Sequence, residues 1–432
     1  MNTTSATRVL GRDVPENVVD GCALGRICNL DEAYRQFPAE LVDELTSQCL
    51  QADEVAYAAY LEFKDSAHAS SWQLFEQALE HGIDTVEAPG PALKKLFADL
   101  DHQPDWVDVA QLHRGAVAMW RAGALVPIVF AYSTVAAGFV EPSGSRPVLF
   151  SGRLMTKARL GQRLLESFRF IANAYTPGGM SRFEEGFKLT VRVRMIHAAV
   201  RYAVGRTQEW RWDEWGAPIN NLDSMNTQAG QFSVQVIDSL AKAGIRLSER
   251  ERQDIFALTR YVGYVIGVPE HLLHRDEADA RQKNRLHSLL ESPADDGCRQ
   301  IVNGIVDYSC EESFGGYDVL PNALARLMTV ERRKKLARGL ICFWQPQFVD
   351  QLHFTKDAWR FALPIVRPFL WLGDKFSRLS AGRDPERAAK VLKEFNAAIA
   401  IAKGERSLAD PEEVSSDVAA NAQHVGAYTN GA

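Results

Sequence analysis

An all-α fold is what this sequence predicts, on three observations. Apolar residues recur at spacings of three and four over 39–62, 70–80, 106–120, 149–174, 184–205, 231–243, 252–266, 318–328 and 355–378. Turn-forming clusters fall between many of these runs, at Pro89-Gly90-Pro91, Pro142-Ser143-Gly144, Pro177-Gly178-Gly179, Gly216-Ala217-Pro218 and Gly315-Gly316. Strand-like alternation is rare, and neither a βαβ rhythm nor a solenoid repeat is present.

Each run then has a place in the whole. The first 103 residues are expected to form helices lying over a core at 104–345, with helices at 346–403 completing the same domain. The tail 404–432 is small, polar and poor in large apolar residues, so disorder is expected there. Nineteen uncharged residues at 122–140 could just span a bilayer. They include Gly123, Pro127, Ser133, Thr134 and Gly138, and no second span accompanies them. A helix apolar all round is also what a large helical core requires, so burial rather than membrane insertion is expected.

Composition narrows the function. With 46% hydrophobic and 24% charged residues, 432 residues can bury a sizeable core and remain soluble. A net charge of −6 supplies no basic field for nucleic acid. The six cysteines (22, 28, 49, 298, 310 and 342) follow no disulfide or zinc spacing, and the amino terminus has no apolar signal core. A cytoplasmic protein with reduced thiols is expected. The chain also has no G-x-G-x-x-G, Walker A, G-x-S-x-G, H-E-x-x-H or EF-hand motif, which disfavours dinucleotide binding, phosphoryl transfer and the common hydrolase mechanisms.

The distinctive segment is the helix at 184–206, acidic at its start and basic at its end, as the macrodipole favours. On a wheel of about 100° per residue, Val193 and Val200 fall roughly 40–60° to one side of His197, and Arg194 and Arg201 as far to the other. His197 thus sits on a seam between an aliphatic flank and a two-arginine flank. Two readings fit. It is a core histidine satisfied by a neighbour, beside solvated arginines; or it ligates the iron of a flat apolar disc whose carboxylates the arginines pair.

On the preceding helix, Arg163, Glu166, Ser167 and Phe170 share one stripe. They form either a polar face over a cofactor or a surface ion pair. Three other features read as structural. His271 and His274 lie in a charged turn and are expected to face solvent rather than to bind a metal. The tryptophans of EWRWDEW (209–215) are expected to plug a helix end, and ERRKK (331–335) to form a solvated face.

Together these residues resemble the family of the fungal MpaB oxygenase and the bacterial rubber oxygenases, or latex clearing proteins. RVRMIHAAVR around His197 is similar to the family's Arg-rich helix with a His-Ala pair. Arg163-Leu-Leu-Glu166-Ser167 stands where rubber oxygenases carry R-x-x-K-T, at the same offset from the histidine. WGAPINNLDSMNT (215–227), PDWVDVAQLHRG (104–115) and IGVPEHLL (266–273) add to the likeness, which spans about 104–345.

The resemblance implies a globin-like helical core with additional peripheral helices, b-type haem, and dioxygen chemistry on a small hydrophobic, isoprenoid-like substrate. It implies His197 as the proximal ligand, and Arg163, Arg194 and Arg201 as haem surroundings. Val193 and Val200 then cover the macrocycle, while Thr227 and Ser167 are polar groups of the pocket. Glu166, Ser167 and Arg163 become the catalytic face. Where the family places a distal lysine this chain has Glu166, and Ser167 replaces threonine, which puts polyisoprene cleavage itself in question. A peroxidase-like enzyme using Glu166 as acid–base group, and a non-catalytic haem sensor or carrier, remain as alternatives.

Overall fold

The computed structural model describes residues 7–9, 12–14, 24–65, 71–150, 157–311 and 328–403. The fold is all-α, apart from one short antiparallel hairpin pairing Thr7–Val9 with Arg12–Val14. One hydrophobic cluster runs from Leu24 through Phe97, Met119 and Met195 to Ile399, so helices from both ends of the chain share a core.

Local chemistry sets the helix ends. Ser248 and Glu251 form a reciprocal capping box that opens the helix Glu249–Val265. Asp108 accepts from the Ala110 amide to open Val109–Trp120. The apolar run at 39–62 divides into Ala39–Ser47 and Glu54–Asp65, because the Asp53 carboxylate accepts from the Ala56 amide at 3.2 Å and starts a new helix.

The helices Val109–Trp120 and Glu249–Val265 pack along one another. Their backbones touch at Gly115, where an added Cβ would lie 2.2 Å from the Asp254 carbonyl oxygen. The helices Lys157–Ala174 and Glu185–Gly205 form a second packed pair, and Glu54–Asp65 lies against the latter.

The uncharged segment 122–140 is core, but it is not one straight helix. It runs as an α-turn at Leu125–Val129, a π-helix at Phe130–Val135 and an α-turn at Ala136–Gly138, with Val126, Val129, Phe130 and Ala136 fully buried. It meets Val109–Trp120 at an 86° bend, and no described helix is long and apolar enough to cross a membrane by itself. A second π-helix, Thr227–Val234, contacts the first. π-Helical turns admit an extra residue and often mark functional regions.

Several expected runs differ in detail. The run at 149–174 ends one helix, Pro142–Phe150, and fills another, Lys157–Ala174, with 151–156 outside the described residues. The run at 318–327 and the tail 404–432 also lie outside them. The spacing at 355–378 becomes a 3-10 turn, Ala358–Phe361, and the helix Ala362–Arg378.

The close contact at Gly115 yields a stability test. Gly115→Val should push the two helices apart and cost roughly 1–3 kcal/mol, the usual penalty of overpacking. A urea midpoint equal to wild type would show that the helices do not meet there.

Candidate functional site

The site is built around the 21-residue helix Glu185–Gly205, which presents His197, Arg194 and Arg201. Trp212, from the Trp-rich segment, donates its indole N–H to the Gly205 carbonyl at 3.2 Å and closes the helix end. Trp210 and Trp215 are buried together against Phe150. That is the plug expected from the sequence.

The two arginines have different fates. Arg194 is 6% exposed and grips Asp53 with two hydrogen bonds, Nε to Oδ2 at 2.6 Å and Nη2 to Oδ1 at 3.0 Å. Burial pushes the Asp53 carboxyl up, but Arg194 and, more weakly, Arg201 outweigh it and hold the group below its ordinary range. Arg194, expected to partner an external carboxylate, is thus already engaged by a carboxylate of this chain.

Arg201 has no such pairing. Its Nε donates to the Ile219 carbonyl at 3.0 Å, and its buried Nη1 has no acceptor among the described residues. Ile219 itself adopts φ +50°, a left-handed conformation that a β-branched residue rarely takes. The strained residue thus supplies one acceptor to Arg201 and leaves another nitrogen open. Burial, against a partial offset from Asp53, lowers the Arg201 pKa to about 10, so the group remains charged at neutral pH.

His197 is enclosed by the same groups. Burial first, then the charges of Arg201 and Arg163, lower its pKa to about 3, with Asp53 opposing. It is a neutral imidazole, and no hydrogen bond from either ring nitrogen is found among the described residues, although part of the side chain stays accessible. Val200 is buried beside it, and Val193 is half-buried against the core.

The structure also brings Arg163 to His197 across the packed helix pair. Glu166 is buried one turn on, 3.6 Å from Arg163. The Ser167 hydroxyl donates to the Arg163 carbonyl at 3.1 Å, and the Thr227 hydroxyl to the Asp223 carbonyl at 2.9 Å. Both hydroxyl hydrogens are spent on carbonyls one turn back, and among the described residues Thr227 makes no hydrogen bond to His197, Arg194 or Arg201. Phe170 faces Phe232 in the aromatic core.

Pairing these charges leaves a remainder. Asp53 balances Arg194, and Glu166 lies against Arg163. Among the described residues Arg201 is left as a buried cation without a carboxylate bonded to it, beside an imidazole without a hydrogen bond. A ligand that brings an anionic arm and an acceptor site for a neutral nitrogen would complete both.

Residues 112–403 match the family described as "ER-bound oxygenase mpaB/B'/Rubber oxygenase, catalytic domain". The chain belongs to this family. It is 25% identical over 253 residues to the rubber oxygenase of Streptomyces sp. (strain K30), a match covering 56% of this chain and 58% of that protein. The matched segment therefore spans less than two thirds of that relative. A solved latex clearing protein in its closed state shares the fold, with a TM-score of 0.55 at 16% identity, covering 87% of this chain and 91% of that one.

Sequence reasoning missed a second buried polar cluster. Arg26 holds Asp223 through two hydrogen bonds at 2.8 and 2.7 Å and Glu291 through one at 2.8 Å. His287 lies 3.3 Å from Asp223, and Gln231 donates to Glu141 at 3.4 Å. Burial raises the Glu141 pKa to about 7, partly offset by His287. For His287 burial acts downward, yet Glu141, Asp223 and Glu291 outweigh it and raise the group. Asp223, His287 and Glu291 are close enough together to hold a metal ion, but Arg26 already occupies both carboxylates. The members lie up to 265 residues apart, and only Asp223 falls in a segment that the sequence singles out, 215–227.

The histidine pair in the 271–276 turn is also corrected. His271 is exposed, but His274 is 1% exposed, with Nε2 2.9 Å from the Phe256 carbonyl. Burial lowers its pKa to about 4. It is a satisfied core histidine.

Two predictions follow from the charge arrangement. Arg194→Ala should cost roughly 3–5 kcal/mol because it leaves the buried Asp53 unpaired. Arg201→Met, which removes a surplus charge, should leave the melting point of the cofactor-free protein unchanged or raised; equal losses for both variants would refute the distinction.

The second prediction concerns acid. The unfolded chain protonates position 197 below its ordinary pKa of 6.5, whereas the folded chain refuses that proton down to about 3. The stability contribution is complete above pH 6.5 and is lost as pH falls towards 3. In cofactor-free His197→Gln, the urea midpoint should therefore fall less between these limits than in wild type. Matching slopes would mean that protons reach the imidazole freely.

Proposed function

We propose that this protein is a haem-b-dependent oxygenase acting with dioxygen on a hydrophobic, isoprenoid-like substrate in the cytoplasm. The observation that carries the reading is His197, a neutral imidazole without a hydrogen-bond partner among the described residues, beside the surplus guanidinium of Arg201. Only a neutral imidazole ligates a metal, and its low pKa keeps it so across the physiological range. Haem b supplies the redox-active iron needed for dioxygen chemistry, together with propionates that suit an unpaired arginine.

The chain's own residues have separable tasks in this reading. His197 binds the iron through a ring nitrogen. Arg201 pairs a propionate through the free Nη1, while Arg194 holds the helix in place through Asp53. Val193 and Val200 exclude water along the aliphatic flank.

Glu166 is the acid–base group on the facing helix, and Arg163, 3.6 Å away, steadies its carboxylate. Glu166 accepts or returns a proton at a carboxylate oxygen. Ser167, whose hydrogen points to the Arg163 carbonyl, offers only its oxygen lone pairs. Thr227 is assigned no contact with substrate, because its hydroxyl is used within its helix.

An absorption spectrum tests the reading. Protein reconstituted with haem should hold one haem per chain with a Soret band, and His197→Ala should lose most of it while its helical circular dichroism stays intact. Arg201→Met should release haem to apomyoglobin faster, by roughly tenfold or more for the loss of a charge-assisted contact. Wild-type protein that takes up no haem, or His197→Ala with an unchanged spectrum, would overturn the assignment.

A further inference from the structure

The helix Ala362–Arg378 carries apolar side chains on the side that faces away from the protein. Leu379 is 83% exposed, Phe369 74%, Ile365 68% and Phe376 62%, with Phe361 and Leu372 also exposed. On a helical wheel these six positions fall within about 40° of one outward line. The inward side is settled by Leu363 and Asp374, both buried, on the opposite face. Scattered exposed apolar residues are ordinary, but a continuous stripe of this length on one helix marks an interaction surface.

Charge says what that surface meets. Asp374, the acidic residue of the helix, is turned inward to ion pairs with Arg121 and Arg378. Arg360, Arg367, Lys375 and Arg378 are all exposed. Lys375, Arg367 and Arg378 fall together on one flank of the stripe, about 80–160° from its centre. Trp371 lies on the same flank, with the Lys375 ammonium 4.2 Å from its ring centroid. The outer surface is thus a stripe of Phe, Ile and Leu bordered by cations and a tryptophan, with no exposed carboxylate on the helix.

We propose that this helix docks the protein onto an anionic lipid bilayer, lying in the plane of the interface. Its apolar stripe enters the headgroup–acyl boundary, the bordering cations meet anionic headgroups, and Trp371 sits at headgroup level. At about 26 Å for 17 residues the helix is short for a span, and its inner face carries the Arg121–Asp374 pair. It lies on the membrane and does not cross it. This inference concerns a surface separate from His197 and does not depend on the haem reading.

Sedimentation of the full-length protein with vesicles tests it. The protein should bind vesicles containing phosphatidylserine and bind those of phosphatidylcholine alone much less, with binding weakened by salt. Phe369→Ser with Phe376→Ser should lower the bound fraction roughly tenfold or more, as should Arg367→Gln with Lys375→Gln. All four side chains are exposed, so both double variants should keep the wild-type melting point. The charge variant retains the whole apolar stripe, so it still tests the proposal if the serine variant folds poorly.

Three results would overturn the proposal. One is no vesicle binding by the wild type. Another is equal binding to phosphatidylcholine alone, which would remove the role of charge. The third is a solution dimer, converted to monomer by the Phe369 and Phe376 changes and indifferent to lipid, which would assign the stripe to a second copy of this chain.

Discussion

The bidentate pair between Arg194 and Asp53 is the contact on which the site depends. Two charges are taken out of water, a cost that only good geometry and shared hydrogen bonds can offset. Asp53 meets that condition by accepting from Arg194 while also capping the helix Glu54–Asp65. The pair therefore fixes an amino-terminal helix against the His197 helix and sets the rotation of that helix about its axis. With the rotation fixed, Arg201 stands near enough to His197 for its charge to act on the imidazole. Asp53 also acts on Arg201 at longer range, but one carboxylate cannot neutralise two buried guanidinium groups. The surplus charge near His197 is thus a consequence of how the helix is anchored.

The same logic explains why two buried histidines differ. His197 lies among arginines, so burial and neighbouring charge both disfavour its protonated form. His287 is more deeply buried, but Glu141, Asp223 and Glu291 surround it and reverse the direction. One histidine is kept neutral, which suits a metal ligand. The other is held toward its charged form, which suits a counter-ion in a network with Arg26. Burial acts downward on both imidazoles; the sign of the neighbouring charges decides the chemistry.

Helical periodicity made the all-α fold legible, and the seam position of His197 could be read from a wheel. The partners of the seam could not. A wheel places Arg194 and Arg201 on one flank as equals, and only the folding of Asp53 onto Arg194 separates them. The π-helices at 130–135 and 227–234 were also hidden, since an extra residue per turn leaves an apolar segment apolar. For the hydroxyls of Ser167 and Thr227, sequence offered polarity but not direction, and both point back into their own helices. The Arg26 cluster joins distant segments whose pairing no local pattern records.

Two apolar segments show most clearly what a hydropathy pattern omits. The segment 122–140 carries no charge on any face, so nothing opposes its complete burial, and it forms the centre of the protein. The helix Ala362–Arg378 has apolar residues on two faces and charges between them. Its inner face makes a specific contact, Asp374 with the buried Arg121, which Glu251 also pairs, and a buried carboxylate turned away from these partners would be costly. Once Asp374 turned inward, the helix had no freedom left to hide Ile365, Phe369, Leu372 and Phe376. A buried ion pair therefore determines which apolar face is presented to the surroundings, much as Asp53 determines which arginine is left for a ligand.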